Sequence, residues 1–492
     1  MIEETVQVHD RYQFEIKTAY DLEPRRRTTT YDVETYVFLP RNLGVSRLSY
    51  SKQDFYNDIQ TYIRLKTPAV LLRDVCSGRD SPLDRVSASI DLLDDADREQ
   101  CVAKYERRLK LFGCIVRSAL RDHVHFASQA PTNADFDALL GDYLEGVARI
   151  TRRFRELRRR VNVPKRDPKV VSAFLFLDEY LSLQVEDYTY DLLEQLRGGN
   201  SPNAESHRRK LVELARSEAD HRREMGRRSV AVEGTDNEEA VFRRGVLKKY
   251  VGNVLFLDTR VGREGQFLEQ VLFGLAAGVA MLFTMVILFS YQVRYGSLSI
   301  PFFAAAVISY VFKDRMKEFI RIYLHRRLGS LLFDHKTSIY TRPAQTIGQC
   351  RESFDFVPER RVPSEVLRIR AASHMTEIEN ELRGERIMRY RKRLRLLSRR
   401  IRSAYESSRI EGINDIMRFN VRRFLTRMDD PKKPLFVADE EGYHAIRARR
   451  TYHVNLIIRF SAGGRSSYRR FRIVLSRSGI RRIDEVPVGV SA

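Results

Sequence analysis

The stretch Val271–Tyr291, VLFGLAAGVAMLFTMVILFSY, carries no charged side chain and decides the reading of everything around it. It lies inside an uncharged run of 24 residues, Gln270–Val293. Crossing the hydrocarbon core of a bilayer takes roughly 20 helical residues, so this run is long enough. A second uncharged run, Tyr295–Phe312, follows Arg294 and is shorter at 18 residues. Pro301 sits near its start, where a missing N–H costs least, and Tyr295 and Tyr310 are suited to the headgroup layer. The pair predicts a two-helix transmembrane hairpin with spans at about 270–292 and 297–312. The competing reading, a helical hairpin inside a soluble domain, requires both runs to be buried.

The flanks set an orientation. The turn between the runs carries one basic residue, Arg294. Arg260 and Arg263 precede the first run, and Lys313, Arg315, Lys317, Arg321, Arg326 and Arg327 follow the second. The positive-inside rule then puts both long flanking parts, and both termini, in the cytoplasm. Neither span holds an ionisable side chain, which excludes a proton relay and leaves an anchor. Gly274 and Gly278 form a G-x-x-x-G, expected to pack helix on helix within the hairpin, with a homo-oligomer through that face as the alternative. Beyond the second span, Met316, Phe319, Ile320, Tyr323 and Leu324 oppose Lys313, Lys317 and Arg321, the pattern of a helix lying against anionic lipid.

At 492 residues and 57.5 kDa the chain predicts two or three domains. The expected architecture is a multidomain α+β membrane protein: an N-terminal β-hairpin and helix over 1–85, a cytoplasmic helical bundle over 86–262, the hairpin with its basic helix over 263–330, and a basic α+β domain over 331–492. Alternation at Val6, Val8, Tyr12, Phe14 and Ile16, and again at Tyr31, Val33, Thr35, Val37 and Leu39, predicts two strands joined by a turn at Pro24–Arg27. Ser51 with Asp54 reads as a capping box, opening a helix whose buried face is Phe55, Ile59 and Ile63. Apolar steps of three and four from Val102 to Leu120 and from Phe136 to Val161 predict bundle helices, and Val170–Leu183, apolar nearly all round, their central member. The run Arg152–Arg160 reads as a solvated helix face.

In the C-terminal part, Lys336–Thr341, Glu352–Val357 and Arg386–Leu396 read as strands, and Ser364–Arg383 and Asn414–Arg427 as helices. Arg389, Arg391, Arg393 and Arg395 project to one side of their strand; Met388, Tyr390, Leu394 and Leu396 project to the other, with Lys392 the exception. Tyr452–Phe460, Phe471–Leu475 and Ile480–Glu485, turning at Gly463-Gly464 and Ser478-Gly479, read as an antiparallel meander that carries Arg470, Arg472, Arg459 and His453 on its polar face, beside the Arg389–Arg395 row.

Charge is distributed unevenly. The net +22 comes from 87 Lys+Arg and 65 Asp+Glu; residues 313–492 hold 41 and 21 of these, a net +20, leaving 46 and 44, a net +2, for residues 1–312. The expected contact surface for anions is therefore Lys313, Lys317, Arg321, Arg389, Arg391, Arg393, Arg395, Arg470 and Arg472, facing anionic lipid headgroups or an acidic protein partner. A membrane-tethered nucleic-acid binder is the second reading, an unrecognised enzyme or transport accessory the third. Phosphate-binding, nucleophile-elbow and zinc motifs are absent from the sequence, and Glu377, Glu379, Glu381 and Glu385 beside His374 read as a solvated helix end. No catalytic residue, cofactor or metal is expected. His123 and His125, two apart on a helix, point to different faces. The four cysteines are scattered, which fits a reducing compartment, and Met1–Thr5 lacks the pattern of a signal peptide. Arg outnumbers Lys by 71 to 16, as GC-rich coding produces, and the expected address is a bacterial inner membrane. The expected role is a non-catalytic scaffold or regulator.

Overall fold

The computed structural model describes residues 2–23, 26–78, 80–94, 98–164, 166–197, 203–264, 266–296, 299–328, 333–341, 345–372, 384–405, 410–440 and 442–488. Two compact units emerge: Met1–Ile63 fold with Leu257–Glu406 and Gly412–Ala492, while Arg64–Phe256 form the other. The protein is mixed α+β, with antiparallel sheets and helical parts.

The first unit is built on strands β1 (Ile2–Val8), β2 (Gln13–Asp21), β3 (Thr29–Pro40), β4 (Ile59–Leu65), β5 (Asp258–Arg263), β6 (His335–Tyr340), β7 (Thr346–Val357), β8 (Glu385–Leu396), β9 (Gly412–Asn420), β10 (Lys432–Asp439), β11 (Gly442–Arg449), β12 (Tyr452–Ala462), β13 (Arg465–Ser476) and β14 (Gly479–Val486). Eight of them make one sheet, in the order β14-β13-β12-β3-β8-β7-β6-β5. A four-stranded sheet, β1-β2-β9-β4, supplies a second apolar face, and β10 and β11 pair only with each other. Aromatic rings meet between the two larger sheets: helix α1 (Lys52–Asp58) stacks Phe55 on Phe354 at 4.0 Å and sets it 5.8 Å from Phe419. The cavity left between the sheets, about 20 Å³ and walled by Phe14, Phe55, Phe419 and Leu456 among others, is apolar and the size of one water. It is no ligand chamber.

Three expectations change here. The strands at 2–21 pair with each other as β1 and β2, closing at Asp10, whose carboxylate accepts from the Tyr12 and Gln13 N–H groups. β3 leaves them and pairs with β8 and β12, because its alternate acids, Asp32 and Glu34, fall opposite Arg393 and Arg391. The predicted helix at Asn414–Arg427 is instead β9 followed by a single turn, Arg422–Leu425, since β9 lies between β2 and β4 and is buried on both faces, Asn414 and Asp415 included, so its sequence shows no strand period. The capping box at Ser51 and Asp54 does form, but the helix stops at Asp58, and Ile59 and Ile63 belong to β4. The meander forms with Gly463 and Gly464 at φ +56° and +83°, the left-handed pair a two-residue hairpin turn needs.

The second unit is helical: α2 (Pro82–Asp91), α3 (Arg98–Ser128), α4 (Asn133–Glu156), α5 (Arg158–Val161), α6 (Pro168–Arg197), α7 (Ala204–Glu224) and α8 (Glu238–Gly252). α6 packs against α3, α4, α7 and α8, and Phe154 stacks between Phe112 and Phe174 at 5.7 and 4.5 Å. The bundle also buries charge. Arg222, 1% exposed, donates to Ser182 Oγ (2.8 Å) and Glu186 (2.7 Å), and Arg244 reaches the same Glu186 at 2.8 Å. Arg155 donates to Asp178 (3.2 Å) and Glu218 (2.6 Å), and Arg160 pairs with Asp91. The Arg152–Arg160 run is therefore not simply solvated: part of it is the positive half of an internal ion network.

Between β5 and β6 the chain makes two long helices, α9 (Gln266–Tyr295) and α10 (Ile300–Leu328), packed on each other. Helix α11 (Ser364–Ala371) then covers one end of the eight-stranded sheet, and α12 (Ser398–Ala404) follows β8. Counting Arg422–Leu425 as α13 completes the elements. Most of the predicted continuation of α11, and the acids at 377, 379 and 381 with His374, lie outside the described residues.

Candidate anionic-contact surface

The register of the eight-stranded sheet assembles the basic face. Directly opposed residues in an antiparallel pair share a face, so each Arg of β8 heads a row across the sheet. Arg393 stands between Asp32 of β3 and Arg351 of β7, with Lys336 of β6 next in line. Arg395 heads a row through Gln349 and Ser338 to Arg260 of β5. Arg391 lies between Glu34 and Ser353, and Glu34 opposes Arg459 of β12. Sequence reading found the four Arg of β8. It also placed Arg459 on the polar face of the meander, but missed Lys336, Arg351 and Arg260 as members of this face, which only the strand pairing brings alongside.

The face is open at one end and covered at the other. Around Ile387, Val362 and the α11 residues Val366 and Ile369 pack on Tyr36, Phe38, Val357 and Ile457. Towards this cover Arg389 and Arg391 are half-buried; away from it Arg393 and Arg395 are exposed. Arg393 Nε pairs with Asp32 at 2.5 Å, and Arg391 Nε donates to Ser353 Oγ at 3.0 Å. The Phe333 ring lies 5.5 Å from the Arg391 guanidinium and 5.7 Å from that of Arg393. Burial and then the adjacent Arg389 pull the Arg391 pKa below its usual value. Cations crowded to that degree are stabilised by any anion that approaches.

Arg470 does not belong to this surface. It opposes Ile457 in the row beneath α11, is 1% exposed, and donates from Nη1 to the Ile369 carbonyl (2.7 Å) and from Nη2 to Asn455 Oδ1 (3.3 Å). It closes the end of α11, where carbonyls lack partners. Burial, then Arg370 and Arg472, draw its pKa down to about 10. Arg370 beside it is held bidentate by Glu385 at 3.0 and 2.6 Å. Arg472 is half-buried opposite Asp484. Alternation placed both on the polar side correctly; what it does not encode is that a helix covers that part of the side.

Lys392, the exception in the alternation, points into the core between the sheets. Its Nζ lies 2.5 Å from Asp415 and 3.3 Å from Glu352, and Tyr390 donates to Glu352 at 2.6 Å. One buried cation thus faces two buried carboxylates. Burial, opposed by Lys392, pushes the Asp415 carboxyl above the usual carboxylate range. This is an internal ion site, enclosed by protein, and not a surface.

In the helical hairpin, Lys313 sits 4.2 Å over the Tyr310 ring, Lys317 is exposed, and Arg321 lies 4.8 Å over the Phe273 ring and 3.5 Å from Glu318. The two helices meet along Ala276, Ala280 and Thr284 of α9 and Ala305 and Ser309 of α10, all under 9% exposed. Gly274 and Gly278 are not in that seam: a methyl built on either meets nothing within 4 Å. The four-residue step is right but two residues out of phase, because Ala276 and Ala280 already allow the close approach that the glycines were expected to provide. Overpacking the seam with Ala280→Leu is expected to cost about 1–3 kcal/mol, while Gly278→Leu leaves stability unchanged. Denaturant titrations of both variants in detergent check this, and equal losses would refute the seam.

Among the described residues no group of three His, Cys, Asp or Glu side chains is placed to hold a metal ion. His123 is engaged with the Leu139 carbonyl at 2.7 Å. No family model, no curated protein and no solved structure matches the chain.

Proposed function

We propose that the chain is an integral membrane protein, held by α9 and α10, whose basic sheet face engages anionic lipid headgroups at the cytoplasmic side of a bacterial inner membrane. It acts there as a non-catalytic scaffold or regulator, and an acidic protein partner would use the same face. The observation that carries the reading is exposure. α9 is long and apolar enough to cross a membrane, and only 17% of its most apolar window is buried. Leu275, Leu282, Val286 and Phe289 are 58–67% exposed, where a core helix of a soluble domain would hide them.

α10 is the weaker partner. Its apolar stretch ends at Phe312, so alone it falls short of the bilayer thickness. The aliphatic stems of Lys313, Arg315 and Lys317 extend its reach by carrying their charges to the headgroups. Ile300 (87%), Phe303 (73%) and Tyr310 (60%) face outward as lipid-contacting side chains would. The Gly274/Gly278 face remains open for α9 of a second copy.

Labelling spheroplasts with an impermeant maleimide tests the topology. Arg294→Cys, in the last turn of α9, is expected to react from outside. Leu48→Cys, fully exposed in the first unit, is expected to react only after permeabilisation. The reverse pattern would invert the orientation, and reaction at neither site until permeabilisation would remove the span.

A further inference from the structure

The β10–β11 hairpin stands apart from both larger sheets. Every described residue of its strands is exposed except Ala448, which is half-exposed. An isolated two-stranded hairpin is marginally stable in water, and this one carries Phe436 at 67% and Tyr443 at 76% exposure. Its two faces differ. The pairs Lys433–Ala448, Leu435–Ile446 and Val437–His444 lie on one, together with Asp439, whose carboxylate pairs with His444 at 2.9 Å. On the other lie Lys432 opposite Arg449, Pro434 opposite Arg447, Phe436 opposite Ala445, and Ala438 opposite Tyr443. That second face has three cations and no carboxylate. Its two rings touch edge-to-face at 5.8 Å.

The register also says where the arm starts. β12 begins at Tyr452, and its Asn455 opposes Phe38, which opposes Ile387, which opposes Val357 of β7. Val357 lies beyond Glu352, the partner of His335, where β6 takes up the chain from α10. The arm and the helical hairpin therefore leave the same end of the eight-stranded sheet.

We propose that the β10–β11 arm is a second membrane contact, lying in the headgroup layer of an anionic bilayer with Phe436 and Tyr443 inserted and Lys432, Arg447 and Arg449 on the phosphates. The inference rests on the anchored reading above, which brings this end of the sheet to the bilayer. Aromatic rings with a ring of cations are the chemistry of the interface. The acid-bearing face turns to water. A single-stranded nucleic acid would also stack on such rings, and the test separates the two.

The chain has no tryptophan, so single-Trp variants report without background. Full-length Phe436→Trp and Phe283→Trp, the latter a 44% exposed position in mid-α9, are reconstituted into neutral or anionic vesicles containing lipids brominated near the headgroup or deep in the acyl chain. Phe436→Trp is expected to show blue-shifted emission and shallow-bromine quenching in anionic vesicles. Most of both should be lost in neutral vesicles, at high salt, or when Lys432, Arg447 and Arg449 are replaced by Gln. Phe283→Trp is expected to be quenched by deep bromine in both lipids. Water-like Phe436→Trp emission with a deeply quenched Phe283→Trp would overturn the arm and leave the anchor standing. An unquenched Phe283→Trp would overturn both. A Phe436→Trp signal that answers a short oligonucleotide and not the vesicles would reassign the face to nucleic acid.

Discussion

Replacing Lys392 by Met is expected to destabilise the first unit by about 3–5 kcal/mol, the cost of leaving a buried ionic group without its partner. For a unit of this size that is a fall in Tm of roughly 10 °C. Asp415 and Glu352 are 5% and 7% exposed, and Asp415 Oδ1 already lacks a hydrogen-bond partner. Without the ammonium, two carboxylates remain in the apolar space between the sheets. The pH dependence follows with a definite sign. A carboxyl whose folded pKa is raised by burial adds stability below its unfolded pKa and loses it as pH rises through the folded one. The Asp415 carboxyl is already raised, and removing Lys392 takes away the charge that holds it down. The deficit of Lys392→Met should therefore be smallest in mild acid and grow toward neutral pH. Adding Asp415→Asn should recover much of it at neutral pH. Thermal melts in detergent, followed by circular dichroism at several pH values, check this; a deficit that does not vary with pH would refute the ion site.

The elements that pack by a single period were legible from sequence. β8 reads as a strand because Arg and apolar side chains alternate, and the bundle helices because their apolar residues recur at three and four. What failed was anything fixed by a distant segment. β9 has no period because both its faces are buried, so propensity alone decided it, wrongly. The N-terminal stretches were correctly read as extended, yet the first of the two predicted strands splits into β1 and β2, and the partners of β2 and β3, which are β9, β8 and β12, lie more than 340 residues away. The same holds for the site. Parity put Arg470 on the polar face with the β8 row, but burial under α11 is a property of the assembled sheet. Lys392, in contrast, was visible as an anomaly, and a charge on an apolar face is where a buried counter-ion is to be sought.

The N-terminal strands also alter the meaning of the charge. Glu4, Glu15, Asp32, Glu34, Asp54 and Asp58 pair with Arg469, Arg418, Arg393, Arg459 and Arg423 of the C-terminal segment. Acids from one end of the chain thus offset part of the +20 at the other. The net charge overstates the surface, and what remains for a partner is local: the open end of the β8 row and the basic second half of α10.

Neutralising that open end should have the largest effect on function. Substituting Arg393, Arg395 and Arg260, the exposed arginines of that end, by Gln is expected to weaken binding to anionic vesicles by roughly two orders of magnitude, since each basic residue near such a surface contributes about 1 kcal/mol and every 1.4 kcal/mol is tenfold. Arg391 is left in place because Ser353 and Phe333 engage it inside the face. Losing Arg393 has a further consequence, since Asp32 would then add an unopposed negative charge. The measurement uses the full chain in neutral-lipid nanodiscs, mixed with anionic vesicles across a salt series and separated by flotation. The native protein should bind tightly at low salt and release as the Debye length shrinks; the triple variant should bind weakly with a flatter salt dependence. Arg470→Gln supplies the contrast, for it removes the same formal charge from beneath α11. It should lower Tm while leaving vesicle binding intact. If Arg470→Gln reduces binding as much as an exposed arginine does, net charge rather than the geometry of the face governs the contact; if the triple variant binds like the native chain, the face is not the contact at all.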